Sequence, residues 1–407
     1  MPQDAGTRGD ATWPAISHEN VPWKLPAELQ GTVPIRQVVS LEARTYPAAI
    51  PAAIASLNPA DSLTRATIES AAEAAAEIAA FDKETTVLPV PMPAVLLRTE
   101  SASSSQIEHL TANSRNLATA ALGLAAGQNA SLVADNATAM TRALSTTGAL
   151  TRAQILEIHA TLMARTDPDI AGRFRTGPVW IGRPDLSPHG ADFIPPQHTR
   201  VDSCIDDLVA FAGRRDINGL TLAAVVHAQF ETIHPFSDGN GRTGRAIVHS
   251  LLRETGHATH TTVPVSAGLL GNVEGYFAAL TAYREGDVDR IVDTFAASAY
   301  RAIANGRQLA EATRAIHEAW RERIKARADS GAWRLADHLF AQPVINSGHV
   351  AQHLGSSPQG AFNAIHTLVD AGVLTQTSRD RRNQLWQAKE VLDAMDDFAA
   401  RASRRSL

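Results

Sequence analysis

Apolar residues recur at three- and four-residue spacing over most of this chain, so it reads as a succession of helices. The first is Asp61 to Phe81, where Leu63, Ile68, Ala71, Ala72, Ala75, Ile78 and Ala79 share a face and Asp61 or Ser62 stands as N-cap. The same period runs through Glu100–Ala126, Ser131–Leu144, Arg152–Ala164 (capped by Thr151), Val201–Arg214 and Leu220–Ile233. It continues through Arg242–Glu254, Tyr276–Glu285 and Val288–Gln308, then through Ala310–Gly331, which is more charged and predicts a connector helix. Three stretches depart from it. Residues 1–60 are proline-rich without helical period and predict an irregular arm anchored by Trp13, Val21, Trp23 and Leu25. Pro89, Pro91 and Pro93 predict an extended crossing. Arg173–Val201 sets the β-formers Phe174, Val179, Trp180, Ile181, Phe193 and Ile194 among glycines and prolines, which predicts a short β-hairpin.

Beyond Trp333 the order changes again. Val344–Leu354, a turn at Gly355–Pro358, a helix over Gln359–Ala371 and two strands around Gly372–Thr375 and Gln384–Gln387 follow one another. Helix, turn, helix and hairpin in that order predict a winged helix. Its second helix offers Gln359, Asn363, His366 and Thr367 but no Lys or Arg, while Arg379, Arg381 and Arg382 in the turn could reach phosphates. DNA is therefore one candidate partner of this domain, and protein docking or self-association the other. The expected organisation is an arm over 1–60, helices over 61–130, a core over 131–309, a linker helix over 310–332 and the winged helix over 333–407.

Composition adds little to the picture but removes some classes. The 407 residues are 44% hydrophobic and 19% charged with a net charge of −5, so no global basic field points to nucleic acid. Aromatics are 5% and alanine is abundant, which favours close helix-on-helix packing. Cys204 is the single cysteine, the N-terminus is polar, and no run of about 18 apolar residues lacks a charge. A cytoplasmic chain without a membrane span is expected.

The chemistry concentrates in His234-Pro235-Phe236-Ser237-Asp238-Gly239-Asn240-Gly241-Arg242-Thr243-Gly244-Arg245, between two helical stretches. His234 stands at a helix end, placed to accept a proton. Asp238 is a carboxylate suited to Mg²⁺ when phosphates supply the other ligands. Gly239, Asn240 and Gly241 permit an anion-binding nest of backbone amides. Arg242 and Arg245 open the next helix, where an anion is favoured and two cations alone are not. Phe236 reads as a core anchor of the loop.

This run is similar to the Fic family motif, His-Pro-Phe-x-Asp-Gly-Asn-Gly-Arg-x-x-Arg, without a departure. The resemblance implies a mainly α fold with a Fic helical core and a β-hairpin flap. It implies a protein adenylyltransferase that uses ATP and Mg²⁺. His234 would deprotonate a Ser, Thr or Tyr hydroxyl of a target protein, which attacks the α-phosphate and releases pyrophosphate. Asp238 would hold the metal. Gly239, Asn240, Gly241, Arg242, Thr243, Gly244 and Arg245 would bind the phosphates, with Tyr276 and Phe277 lining the adenine pocket. Asp192, Phe193 and Ile194 resemble the flap that holds the target as an added strand. Ser104-Ser105-Gln106-Ile107-Glu108 resembles the family's inhibitory pattern, Ser/Thr-x-x-x-Glu followed by Gly or Asn. It stands within an inhibitory helix over about 101–112, and here His109 takes the last position. The resemblance implies that Glu108 pairs with Arg245 and blocks productive ATP binding, and that chains of this layout self-associate. From the residues alone, Ser104 can instead cap a helix and Glu108 be its capping-box partner. Three alternatives stay open: a DNA-binding regulator whose Fic core senses nucleotide, a Fic enzyme using another nucleotide, and one that removes AMP.

Overall fold

The computed structural model describes residues 12–25, 36, 44–145, 148–182, 187–377 and 384–404. In chain order its elements are β1 (Ser17–Pro22), β2 (Thr45–Ile50), α1 (Arg65–Thr86), α2 (Met92–Ile107), α3 (Ser114–Ala120) and α4 (Gln128–Ser145). Then come α5 (Arg152–Met163), α6 (Val201–Ala212), α7 (Gly219–Ile233), α8 (Asn240–Glu254), α9 (Val265–Leu270), α10 (Val273–Arg284) and α11 (Val288–Arg323). The last are α12 (Gly331–Ala341), β3 (Val344–Ile345), α13 (Ser347–Leu354), α14 (Pro358–Asp370), β4 (Thr375–Gln376), β5 (Trp386–Gln387) and α15 (Lys389–Ala402). The fold is mainly helical, with small antiparallel sheets. No helix among the described residues is long and apolar enough to cross a membrane.

Two compact units emerge. The first comprises Met1–Ala71, Gly148–Leu251 and Gly275–Asp293. Its centre is α7, whose fifteen residues are all buried, so no polar face remains for solvent. Asn218 caps it by accepting from the amides of Leu220 and Thr221. The arm is not irregular where it is described: β1 and β2 pair antiparallel from Ser17 opposite Ile50 to Pro22 opposite Thr45. The inward positions of β2 are Tyr46, Ala48 and Ala49 with Pro47 between them, so small residues carry the alternation and it is faint in sequence. The expected anchors hold it down. Trp23 packs with Tyr46, Ala48 and Ile194, and Trp13 lies 6.0 Å from the ring of Tyr283. Asp207 of α6 accepts the amides of Ile54 and Ala55 at 2.7 and 3.1 Å.

The second unit comprises Ala72–Thr147, Leu252–Glu274 and Thr294–Leu407. Here α2 packs against α4 and α9. It overturns the extended crossing expected at Pro89–Pro93, because Pro93 falls in the first helical turn, where its missing N–H costs nothing. Ser101, Ser103, Ser104 and Ser105 are all buried in this helix. The buried Asn136 of α4 donates to the Ser101 carbonyl and the Ser105 hydroxyl at 3.0 and 3.1 Å. The separate core and linker helices expected around Gln308–Ala310 are one continuous α11, since no residue there breaks the helix. The C-terminal elements follow the expected order, and β3, β5 and β4 form one antiparallel sheet in that spatial order. Arg379, Arg381 and Arg382 lie outside the described residues.

Candidate functional site

The site is built on the end of α7. His234 follows Ile233 and precedes Pro235, and a residue before proline is pushed out of the right-handed helical region. It takes φ 48°, ψ 62°, a left-handed conformation that costs an L-residue about 1–2 kcal/mol. Arg175 holds this strained turn. Its Nε donates to the His234 carbonyl at 2.8 Å, Nη1 to Gly177 at 3.0 Å and Nη2 to Pro196 at 2.6 Å. Its backbone amide donates to the Pro235 carbonyl at 3.0 Å. Burial pulls the Arg175 pKa down to about 10, still far above neutrality. The imidazole of His234 is 19% exposed, and its Nδ1 lies 3.7 Å from a Glu231 carboxylate oxygen. Burial by itself would raise that carboxyl. His234, His227 and Arg245 outweigh it and hold Glu231 down to about 2, so it is an anion beside the imidazole.

The loop after His234 is rigid by construction. Phe236 is fully buried, and both heteroatoms of the Asn240 side chain are committed to it. Asn240 Oδ1 accepts the Phe236 amide at 2.9 Å and Nδ2 donates to the Phe236 carbonyl at 2.8 Å. The Asn240 side chain thus closes the loop, so a phosphate role expected for it would fall to backbone. His159 supports the loop from α5. Its Nδ1 accepts the Gly172 amide at 3.0 Å, which leaves Nε2 protonated to donate to the Asp238 carbonyl at 3.0 Å. Its ring stacks on Phe236 with centroids 3.6 Å apart, and burial lowers its pKa to about 4, so it stays neutral at pH 7. Gly239 has φ +76°, and a Cβ there would lie 3.2 Å from both Leu162 and Met163. No other residue fits that turn without strain.

Past the loop, α8 begins at Asn240. Gly244 lets it close on α7, since a Cβ there would meet Glu231 Oε1 at 3.0 Å and His227 Nδ1 at 3.1 Å. Arg242, Thr243 and Arg245 are buried at 7%, 0% and 2% exposure, whereas the Asp238 side chain is 68% exposed, with Oδ2 3.8 Å from Arg242. A strained histidine, one outward carboxylate, and two arginines at a helix start therefore converge on one loop. That set suits a proton acceptor beside a polyphosphate.

Residues 149–252 match the model of the Fic/DOC family. The chain carries a Fic/DOC family domain. It is 26% identical to Protein adenylyltransferase fic-1 of Caenorhabditis elegans over 161 residues, 37% of this chain and 30% of that protein. It is 33% identical to Protein adenylyltransferase Fic of Aedes aegypti over 108 residues, 26% of this chain and 20% of that protein. The chain thus spans less than a third of the length of either relative. The crystal structure of a Fic family protein from Desulfovibrio desulfuricans G20 shares the fold, with a TM-score of 0.52 at 22% identity, covering 80% of this chain and 97% of that one.

Within the Fic/DOC domain the flap is slighter than expected. Among the described residues a single antiparallel bridge, Ile181 to Phe193, stands in place of two strands, with the Ile181 amide donating to the Phe193 carbonyl at 2.8 Å. Its edge is not wholly open either, because the Ile194 carbonyl accepts the Ala49 amide of β2 at 3.0 Å. Phe193 lies under the Arg284 guanidinium at 3.7 Å, and Asp192 donates its amide to Ile181. Tyr276, expected against a purine, is 1% exposed, and its hydroxyl sits 2.7 Å from His227 Nε2. That makes it a core residue. The exposed ring is Phe277, at 50%.

Ser104 and Glu108 lie in the second unit. Ser104 is interior to α2 and caps nothing, because the helix began at Met92. Glu108 is the C-cap. The amide of His109 donates to the Gln106 carbonyl at 2.9 Å and that of Leu110 to the Ser105 carbonyl at 3.0 Å, the two bonds of a Schellman ending. His109 accordingly has φ 61°. A left-handed residue thus stands directly after Glu108, a conformation that Gly or Asn adopts more readily than His. Glu231, His159 and Arg175 belong to no functional motif in the sequence. Only Glu231, three positions before His234 on the same helix, offered a local signal.

Proposed function

We propose that this chain transfers AMP from ATP to a Ser, Thr or Tyr hydroxyl of a protein target, with release of pyrophosphate. The observation that carries the reading is His234, held by Arg175 in a left-handed turn beside the Glu231 carboxylate and at the mouth of the Asp238–Arg245 loop. His234 takes the proton of the target hydroxyl, and that oxygen attacks the α-phosphate as the bond to pyrophosphate breaks. Glu231 stabilises the imidazolium so formed. The first-turn amides of α8 lack intrahelical acceptors, and with Arg242 and Arg245 they supply the positive field a triphosphate needs. Asp238 is the one outward carboxylate of the loop, and no cluster of three metal-ligating side chains exists among the described residues. A single carboxylate suits a Mg²⁺ carried on phosphate, which neutralises phosphate charge when bound. The exposed Phe277 is a better neighbour for the adenine than Tyr276. The target docks on the flap at Asp192, Phe193 and Ile194, beside the backbone groups that Ile181 and β2 already engage. Glu108 restrains the reaction by pairing with Arg245. The C-terminal elements serve as a winged helix for protein docking, since α14 carries no Lys or Arg.

The test uses the wild type, Glu108→Gly and Glu108→Gly/His234→Ala with labelled ATP and Mg²⁺, with self-labelling and candidate targets scored together. Label on protein is expected with Glu108→Gly and not with the double variant. Equal, background labelling in both would refute AMP transfer. Full labelling by the wild type would refute only the restraining role of Glu108.

A further inference from the structure

A cavity of about 310 Å³ lies in the second unit between α2, the loop after it, α3 and α15. That volume admits a small organic molecule. Leu117, Val133, Met395 and Phe398 form an apolar side, while Thr99, Ser103, Thr111 and Asn113 offer hydroxyls and an amide. Arg98 and Asp396 are the charged residues of the wall. Asp396 already accepts the Ser114 amide at 3.0 Å. Arg98 donates through Nη2 to Gln342 Oε1 at 2.8 Å, a neutral partner whose own amide is fixed by the Ala118 and Val344 carbonyls. Nη1 of Arg98 is shielded from solvent and has no acceptor among the described residues. Burial lowers the guanidinium to about 10, so it remains charged at pH 7. A half-buried guanidinium whose shielded Nη1 has no acceptor is unfavourable unless a ligand supplies one.

We propose that this cavity binds a small amphiphilic anion, whose carboxylate or phosphate head pairs with Arg98 and whose apolar body lies against Phe398 and Met395. Two further wall residues, Gln106 and Leu110, stand two positions before and after Glu108. Occupancy therefore acts on the helix ending that carries Glu108, a consequence that rests on the inhibitory reading of that residue.

Thermal melting of the full chain tests the binding without reference to activity. The probes are phenyl phosphate, phenylacetate, inorganic phosphate and, as a neutral control, benzyl alcohol. At least one aryl anion is expected to raise the midpoint saturably, by about 3 °C at a hundredfold excess over Kd. Benzyl alcohol should not, and the two aryl anions distinguish a phosphate from a carboxylate head. Arg98→Met should fold with an equal or higher ligand-free midpoint and lose at least tenfold in affinity. Ala399→Met, which narrows the cavity and leaves Arg98 in place, should also weaken binding. The proposal is overturned if neither aryl anion gives a saturable shift that depends on Arg98. It is equally overturned if inorganic phosphate alone reproduces the whole effect. Aryl-anion binding that leaves ATP labelling unchanged supports the site and overturns its link to Glu108.

Discussion

Replacing His159 by phenylalanine keeps an aromatic ring against Phe236 and removes both nitrogens that hold the loop. The Gly172 amide and the Asp238 carbonyl then lose their partners. Each of these part-buried groups left unpaired costs about 1–2 kcal/mol, so the loop should be weakened by about 3 kcal/mol at pH 7. The pH dependence separates this cause from mere misfit. Burial puts the folded-state pKa of His159 at about 4, below the unfolded 6.5. The unfolded chain therefore takes the proton first, and the stability His159 contributes is present above pH 6.5 and lost as pH falls from 6.5 towards 4. At pH 5 the wild type has lost about 2 kcal/mol on this account, and the variant has nothing to lose there. The gap between the two proteins should shrink from about 3 kcal/mol at pH 7 to about 1 kcal/mol at pH 5. Amide hydrogen exchange of the peptide spanning 236–245, compared between wild type and variant at each pH, measures it, because intrinsic exchange rates cancel in the ratio. A gap unchanged between pH 7 and pH 5 would refute the neutral, doubly bonded His159.

Three further outcomes are expected. Glu231→Gln removes the anion 3.7 Å from His234 that stabilises its imidazolium, so AMP transfer at pH 7 should slow by about tenfold or more; an unchanged rate would mean that Glu231 does not support the base. His109→Gly relieves the left-handed residue at φ 61° and, after the entropy of glycine is subtracted, should stabilise the end of α2 by about 0.5–1 kcal/mol, read as slower exchange over 105–110. Asn240→Ala orphans the amide and carbonyl of the buried Phe236 and should destabilise the loop by about 2–4 kcal/mol in urea titrations, with labelling lost in proportion.

The twelve residues from His234 to Arg245 were legible because the chemistry is contiguous: histidine, carboxylate, glycines and arginines in one run. What holds them was not. Arg175 and His159 reach the loop from 59 and 79 positions away in the chain, a relation that only packing creates. The alternation of β2 rests on alanine and a proline, too weak a pattern to separate strand from coil. Pro93 argued against a helix that in fact begins one residue earlier, where proline is tolerated. The departure at His109 shows the reverse case. The resemblance of Ser104–Glu108 implies Gly or Asn at this position, and only the structure shows that the residue there, His109, is left-handed and closes α2 behind Glu108.

AMP transfer and phosphoryl transfer differ in which phosphorus of the nucleotide the hydroxyl attacks. The most direct measurement is therefore the fate of two labels. Glu108→Gly is incubated with Mg²⁺ and ATP labelled either at the α- or at the γ-phosphate. The account predicts protein-bound label from the α position alone, with the γ label recovered as pyrophosphate. Label retained from the γ position, or from neither, would contradict it.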